Sequence, residues 1–242
     1  MLTLRMLGPV QVLSARGAVD PGPARQRCVL AALAVDAGRP VPVPALIDRV
    51  WDDRPPQRAR HTLQVHLSRL RTVLAAADPA ARIVRRCGGY TLDLAAGHSD
   101  MGTVQALVRQ ARHPGTGLAE QGATLDRALQ LWQGTPLAGL PGQWVEQVRQ
   151  HWLHLRLDLL IRWAAAHLAT GRVDAVLAGS SAALIDFPLA EPLWAVRMRA
   201  LVAAQRRAEA LALYESARRR LATELGVDPG PELAALHHAL LT

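Results

Sequence analysis

Leucines stand at positions 63, 67, 70 and 74 of the segment RARHTLQVHLSRLRTVL, Arg58 to Leu74. At 100° per residue they fall on one narrow stripe, the pattern of a helix that buries one face. The opposite side carries Arg58, His61, Val65, Ser68, Arg69 and Thr72, flanked by Thr62, Gln64 and Arg71, with Arg60 in the same first turn. The segment contains no acid, whereas ordinary surface helices mix both signs. Side chains of these kinds read base edges: Arg pairs bidentately with guanine, Gln with adenine, and a Val methyl meets the thymine methyl. The alternative is a basic face that is solvated and aids solubility, and the neighbouring sequence has to decide between the two.

Charge is the next constraint. The net charge of +8 is uneven: residues 1–97 hold 14 arginines against 7 acids, and residues 98–242 hold 14 against 13. A cationic module joined to a near-neutral one predicts that the first of them meets a polyanion. All 28 basic residues are arginine. The absence of lysine excludes a P-loop, a Schiff-base enzyme and a protein kinase, because arginine neither deprotonates nor acts as a compact point charge. Half of the residues are apolar but only 4% are aromatic, so the core is built from Leu, Val and Ala. No apolar run approaches the roughly 20 residues that span a bilayer, and the N-terminus lacks signal-peptide order. A cytoplasmic, nucleoid-associated protein without a membrane partner is expected. Cys28 and Cys87 are expected to be reduced thiols.

The pattern along the chain separates two domains, 1–97 and 98–242. In the first, LTLRMLGPVQVL reads as one or two short strands. A helix follows over RQRCVLAALAVDAG and stops at Gly38, a C-terminal cap. A second helix starts near Pro44, with Leu46, Ile47, Val50 and Trp51 on one stripe, and ends at Pro55-Pro56. The Arg58–Ala77 helix is third. RIVRRCGGYTLDL reads as a β-hairpin around Gly88-Gly89. A basic hairpin carrying Arg85 and Arg86 beside a basic helix is the winged-helix arrangement, with the helix in the major groove and the wing at the adjacent backbone or minor groove. From His98 onward only helices are expected, over 100–112, 118–133, 144–170, 173–186, 189–204, 206–223 and 230–241. A weak repeat at a spacing of 34 pairs Ala166, Arg172, Leu177 and Ala183 with Ala200, Arg206, Leu211 and Ala217, the tetratricopeptide period.

These residues carry a family resemblance. LGPVQV, PARQRCVLAALAVDAGRPVPVPALIDRVWDDRPPQRARHTLQVHLSRLRTVL and IVRRCGGYTLDL resemble the OmpR-type winged helix of the Streptomyces antibiotic regulatory protein (SARP) family. AEALALYESARRRLATELGVDPGPELAALHHALL resembles the end of that family's bacterial transcriptional activator domain. The resemblance implies a mainly α fold, with short β-strands and a hairpin wing in the first domain and a tetratricopeptide-like second domain. It implies a sequence-specific activator that binds direct repeats in double-stranded DNA near promoters, recruits RNA polymerase holoenzyme and controls a secondary-metabolite gene cluster. It also implies a homodimer at least on DNA, no cofactor, and the small type without ATPase or sensor modules. By position, His61, Thr62, Gln64, Val65, Ser68, Arg69 and Arg71 fall at or beside DNA, and Arg86 falls at the wing arginine. Tyr90 falls under the wing, and Asp52, Asp53 and Arg54 fall in the loop that touches polymerase. Where members often carry PPGY this chain has CGGY, which predicts a looser wing tip.

Other chemistries have little support. His151 and His154 share a helix face but lack a Cys or acid partner at metal-site spacing, so no metal is expected. The serines form no G-x-S-x-G, and no enzyme constellation emerges. Trp132, Trp144, Trp152, Trp163 and Trp194 are expected in helix packing, with an interface role as the alternative. The competing function is a helical-repeat adaptor whose basic first domain binds an acidic partner or RNA. It gives no reason for Gln64, Val65 and Arg69 to share one exposed face.

Overall fold

The structure is a computed structural model and describes residues 2–95 and 97–241. It divides into two compact units. One runs up to Leu107 and takes in Gln130–His154; the other comprises Val108–Leu129 and the residues from Leu155 onward.

The first unit opens with β1 (Thr3–Arg5), β2 (Gln11–Ser14) and β3 (Gly17–Val19), an antiparallel sheet in that order. The third strand exceeds the sequence expectation of one or two. It pairs through Ser14–Gly17 around Ala15-Arg16, and three residues are too few for alternation to reveal. Helix α1 (Ala24–Ala34) is followed by β4 (Val41–Pro42), α2 (Val43–Trp51), α3 (Ala59–Ala77), β5 (Arg82–Arg86) and β6 (Gly89–Asp93). The last sheet has the order β4-β6-β5. Helix α1 ends before Gly38, contrary to the expected cap. Turns closed by Ala37 on Ala34 and Arg39 on Asp36 intervene, and the Gly38 N–H, at φ +80°, bonds the Leu92 carbonyl at 3.0 Å.

Residues beyond 97 help complete this unit. The buried Asp100 carboxylate accepts the N–H groups of Met6 at 2.6 Å, Leu7 at 2.8 Å and Met101 at 2.7 Å. Burial raises its pKa although these three donors pull it down. Gln133 donates to the Leu7 carbonyl and Leu137 to that of Met6. The segment expected to continue a helix to 133 therefore leaves it at Leu129 and lies along the first loop.

Helix α4 (Asp100–Ala111), α5 (Leu118–Leu129) and α6 (Gln143–Ala169) precede α7 (Val173–Asp186), α8 (Glu191–Ala203), α9 (Arg207–Leu225) and α10 (Pro231–Leu241). In the second unit Asp126 of α5 accepts the Trp163 indole N–H and lies 3.2 Å from His167 Nε2. Trp194, Met198, Leu201 and Tyr214 lie in the core of the later helices. Trp132, Trp152, Trp163 and Trp194 are buried, in keeping with packing, while Trp144 is half-buried.

The 34-residue repeat is real in the backbone. Arg172 N–H reaches the His167 carbonyl at 2.9 Å, and Arg206 N–H reaches that of Leu201 at 2.8 Å. Gly171 at φ +75° and Gln205 at φ +61° occupy the same left-handed position between them. Both are the helix-ending motif in which one left-handed residue lets two late carbonyls be satisfied. Ala166 and Ala200, and Ala183 and Ala217, are buried at matching places, so the small residues fall where helices approach.

Glycine fits the left-handed position of Gln205 without strain. Gln205→Gly is expected to stabilise the protein by about 0.5–1 kcal/mol, the left-handed strain relieved less the greater freedom glycine has in the unfolded chain, read as a higher denaturant midpoint at unchanged slope.

Candidate nucleic-acid interface

Helix α3 is set by its leucines. Leu63, Leu67, Leu70 and Leu74 are buried, and α1 and α2 supply the surface they meet. That base is tied by Arg49, which donates to the Ala32 carbonyl at 2.9 Å and pairs with Asp36 at 2.6 Å. Arg25 bonds the Val50 carbonyl. With the stripe held, the opposite side is presented outward. Arg58, Arg60, His61, Gln64, Ser68, Arg69 and Arg71 are exposed, and Thr62 and Val65 are half-buried. From Arg54 to Ala77 the chain holds no acid. Helix α3 has no side-chain cap among the described residues and no acid in its first turn. Arg58 and Arg60 therefore add positive charge to the positive end of the helix dipole, an arrangement that favours an anion there.

Thr62 and Thr72 donate their hydroxyls back to the carbonyls of Arg58 and Ser68, so their outward role is as acceptors or methyl groups. Sequence reasoning passed over His66. It borders the leucine stripe, and its ring lies 6.3 Å from that of Trp51. Burial, then the Arg69 charge, lowers its pKa below the ordinary 6.5. It adds packing rather than charge at neutral pH, and its position beside Leu70 on the helical wheel was the available signal.

The wing has its turn one residue earlier than expected. Cys87 at φ +46° and Gly88 at φ +75° form the tip, the two positive angles of a tight hairpin turn. Arg86 pairs with Gly89 and Arg85 with Tyr90. Gly89 belongs to β6, where a Cβ would stand 2.2 Å from the Val41 carbonyl oxygen. Its bare Cα lets β4 come close. Arg85, Arg86 and Cys87 are exposed, and Tyr90 is buried. Arg86 pairs with Asp93 at 3.0 Å, an exposed contact of small worth that a phosphate can replace. Arg71 reaches the hairpin from α3: its Nε donates to the Ile83 carbonyl at 2.9 Å, and its guanidinium carbon lies 5.7 Å from the Tyr90 ring centre.

The loop between α2 and α3 splits in role. Asp52 adopts φ +51°, and its carboxylate accepts the Gln143 N–H at 3.0 Å, capping the start of α6. Asp53 and Arg54 are exposed. His151 and His154 are exposed on α6. Among the described residues no helix is long and apolar enough to cross a membrane.

Comparison with known proteins places this architecture. The family model for the bacterial transcriptional activator domain matches residues 99–241, and that for the C-terminal domain of transcriptional regulatory proteins matches residues 21–92. The regulatory protein AfsR of Streptomyces coelicolor is 37% identical over 99% of this chain, which covers 24% of AfsR. The regulatory protein DnrI of Streptomyces peucetius is 33% identical over 99% of this chain, which covers 92% of DnrI. The transcriptional regulatory protein EmbR of Mycobacterium tuberculosis is 34% identical over 99% of this chain, which spans 63% of EmbR. A solved structure of Mycobacterium tuberculosis EmbR, in complex with a low-affinity phosphopeptide, superposes with a TM-score of 0.87 at 33% identity. It covers 99% of this chain, which covers 65% of that one. The chain belongs to the SARP family of transcriptional regulators, with an OmpR-type winged helix followed by a bacterial transcriptional activator domain.

Gly89→Ala is expected to cost about 1–3 kcal/mol, the usual range for forcing an extra methyl into a filled space. The loss should appear in chemical unfolding, with loss of the β4–β6 pairing visible as faster amide exchange at Tyr90.

Proposed function

We propose that this regulator is an activator that reads double-stranded DNA, α3 lying in the major groove and the β5–β6 wing at the adjacent backbone or minor groove. One observation carries the reading: an acid-free face of Arg58, Arg60, His61, Gln64, Ser68 and Arg69 stands outward on a helix whose other face is buried leucine. Arg69 and Gln64 serve as base readers; Thr62, Val65 and Ser68 line the same surface. Arg58, Arg60 and His61 meet phosphate at the helix start, and Arg85 and Arg86 meet it at the wing. Family membership extends the reading to direct repeats near promoters, occupied by two copies of the chain, to recruitment of RNA polymerase holoenzyme, and to a secondary-metabolite cluster as target. Within the polymerase-facing loop, Asp53 and Arg54 are the outward side chains, since Asp52 is engaged with α6. Such a protein acts in the cytoplasm, at the nucleoid. The helical domain 98–242 serves the dimer and polymerase contacts, and the winged helix 1–97 supplies the reading surface.

The direct test is a mobility-shift titration with the gene's own upstream region against random duplex. Tighter binding to the former is expected, and equal affinity for both sinks the reading. Arg69→Ala should weaken specific binding by about 1–3 kcal/mol and relax the preference at one base position; equal loss on every sequence would make Arg69 a phosphate contact instead. Arg86→Ala should weaken binding evenly and reduce the salt slope by about 1, measured as affinity against salt concentration.

A further inference from the structure

Arg69 and Arg71 are two residues apart, hence about 200° apart around the helix axis. Both are exposed, yet one is turned to solvent and the other to the hairpin. We propose that Arg71 is a positioning residue for DNA binding, its guanidinium bracing the wing against α3 and so fixing where the wing tip stands. The proposal rests on the reading of α3 and the wing as the DNA-binding surface.

The register shows why a brace is available at this place. A two-residue turn makes Arg86 and Gly89 a hydrogen-bonded pair, and antiparallel pairs alternate. Val84 with Thr91 is then the next bonded pair, and Ile83 with Leu92 is a non-bonded one. In a non-bonded pair the carbonyl points away from the partner strand. Because β5 is the edge of its sheet, the Ile83 carbonyl faces no further strand, and edge groups of this kind need another partner. Arg71 Nε supplies it at 2.9 Å. The same planar group lies over the ring of Tyr90, a residue of the neighbouring strand β6 that is only 7% exposed. One guanidinium thus grips both strands, three residues before Arg86. Beyond that point the outgoing strand carries only Val84, Arg85, Arg86 and the two turn residues before the hairpin returns, so a tilt at Ile83 becomes a displacement of the wing arginines. A lysine keeps the charge but has neither the Nε nor the flat face for these two contacts.

The chain carries its own probe site. Cys87 is exposed at the wing tip, whereas Cys28 is buried and burial pushes its thiol up to about 11. A methanethiosulfonate nitroxide at neutral pH will therefore label Cys87 on the full chain. Electron paramagnetic resonance without DNA should show faster nitroxide motion in both Arg71→Lys and Arg71→Ala than in the parent protein. Unchanged line shapes, or recovery by lysine, overturn the brace. The unlabelled proteins supply the second readout. Arg71→Lys should lower specific DNA affinity about fivefold, a size usual for coupled neighbours, and cause no further loss in an Arg85→Ala/Arg86→Ala background. Losses that multiply in that background mean Arg71 touches DNA itself and overturn the positioning role. If the line shape loosens while the Arg85→Ala/Arg86→Ala protein binds DNA like the parent, the wing's part in DNA binding has failed and the brace has not.

Discussion

The burial of four leucines on one side of α3 is the constraint from which the rest follows. Each removes apolar surface from water, worth about 1.5–3 kcal/mol per fully buried side chain, and together they leave the helix a single orientation. A half-turn rotation would put Leu67 and Leu70 in water and Arg69 in the core, where an unpaired charge costs more than any apolar packing there could offset. The outward display of Arg69, Gln64 and Ser68 is thus a by-product of core formation, and that face needs no device of its own to hold it.

Charge placement reinforces that geometry in an unfavourable-looking way. Two arginines at the start of α3, Arg58 and Arg60, oppose the helix dipole and find no capping side chain among the described residues. In an isolated protein this lowers stability a little. Against a polyanion the same groups and the dipole act in one direction. Folding tolerates the arrangement because the leucines supply the needed energy elsewhere on the same helix.

Much of this was legible in the sequence where a period carries it. The stripe at 63, 67, 70 and 74, the helices of the second half and the 34-residue spacing all came from regular recurrence. What escaped has no period. The resemblance placed Asp52 in the polymerase-facing loop, yet its carboxylate caps a helix that starts 91 residues later. Arg71 sat at the flank of the basic face, and only the folded structure shows its side chain bonded to the Ile83 carbonyl and over the Tyr90 ring. Gly89 read as part of a turn, whereas it is a strand residue kept bare by a carbonyl from β4. These are contacts between distant segments, and no local pattern encodes them. The short strands β3 and β4 failed for a different reason: two or three residues cannot show alternation.

Asp100 changes what it means to divide this protein. Family models part the chain between residues 92 and 99, yet the acceptor for the Met6 and Leu7 amides lies just past that point, and the partner for the Leu7 carbonyl lies at Gln133. A fragment cut at the sequence boundary would strand two buried donors and uncover the apolar first loop. The segments 98–107 and 130–154 belong to the same compact unit as the winged helix, so an exchange of that unit between such regulators has to carry both with it.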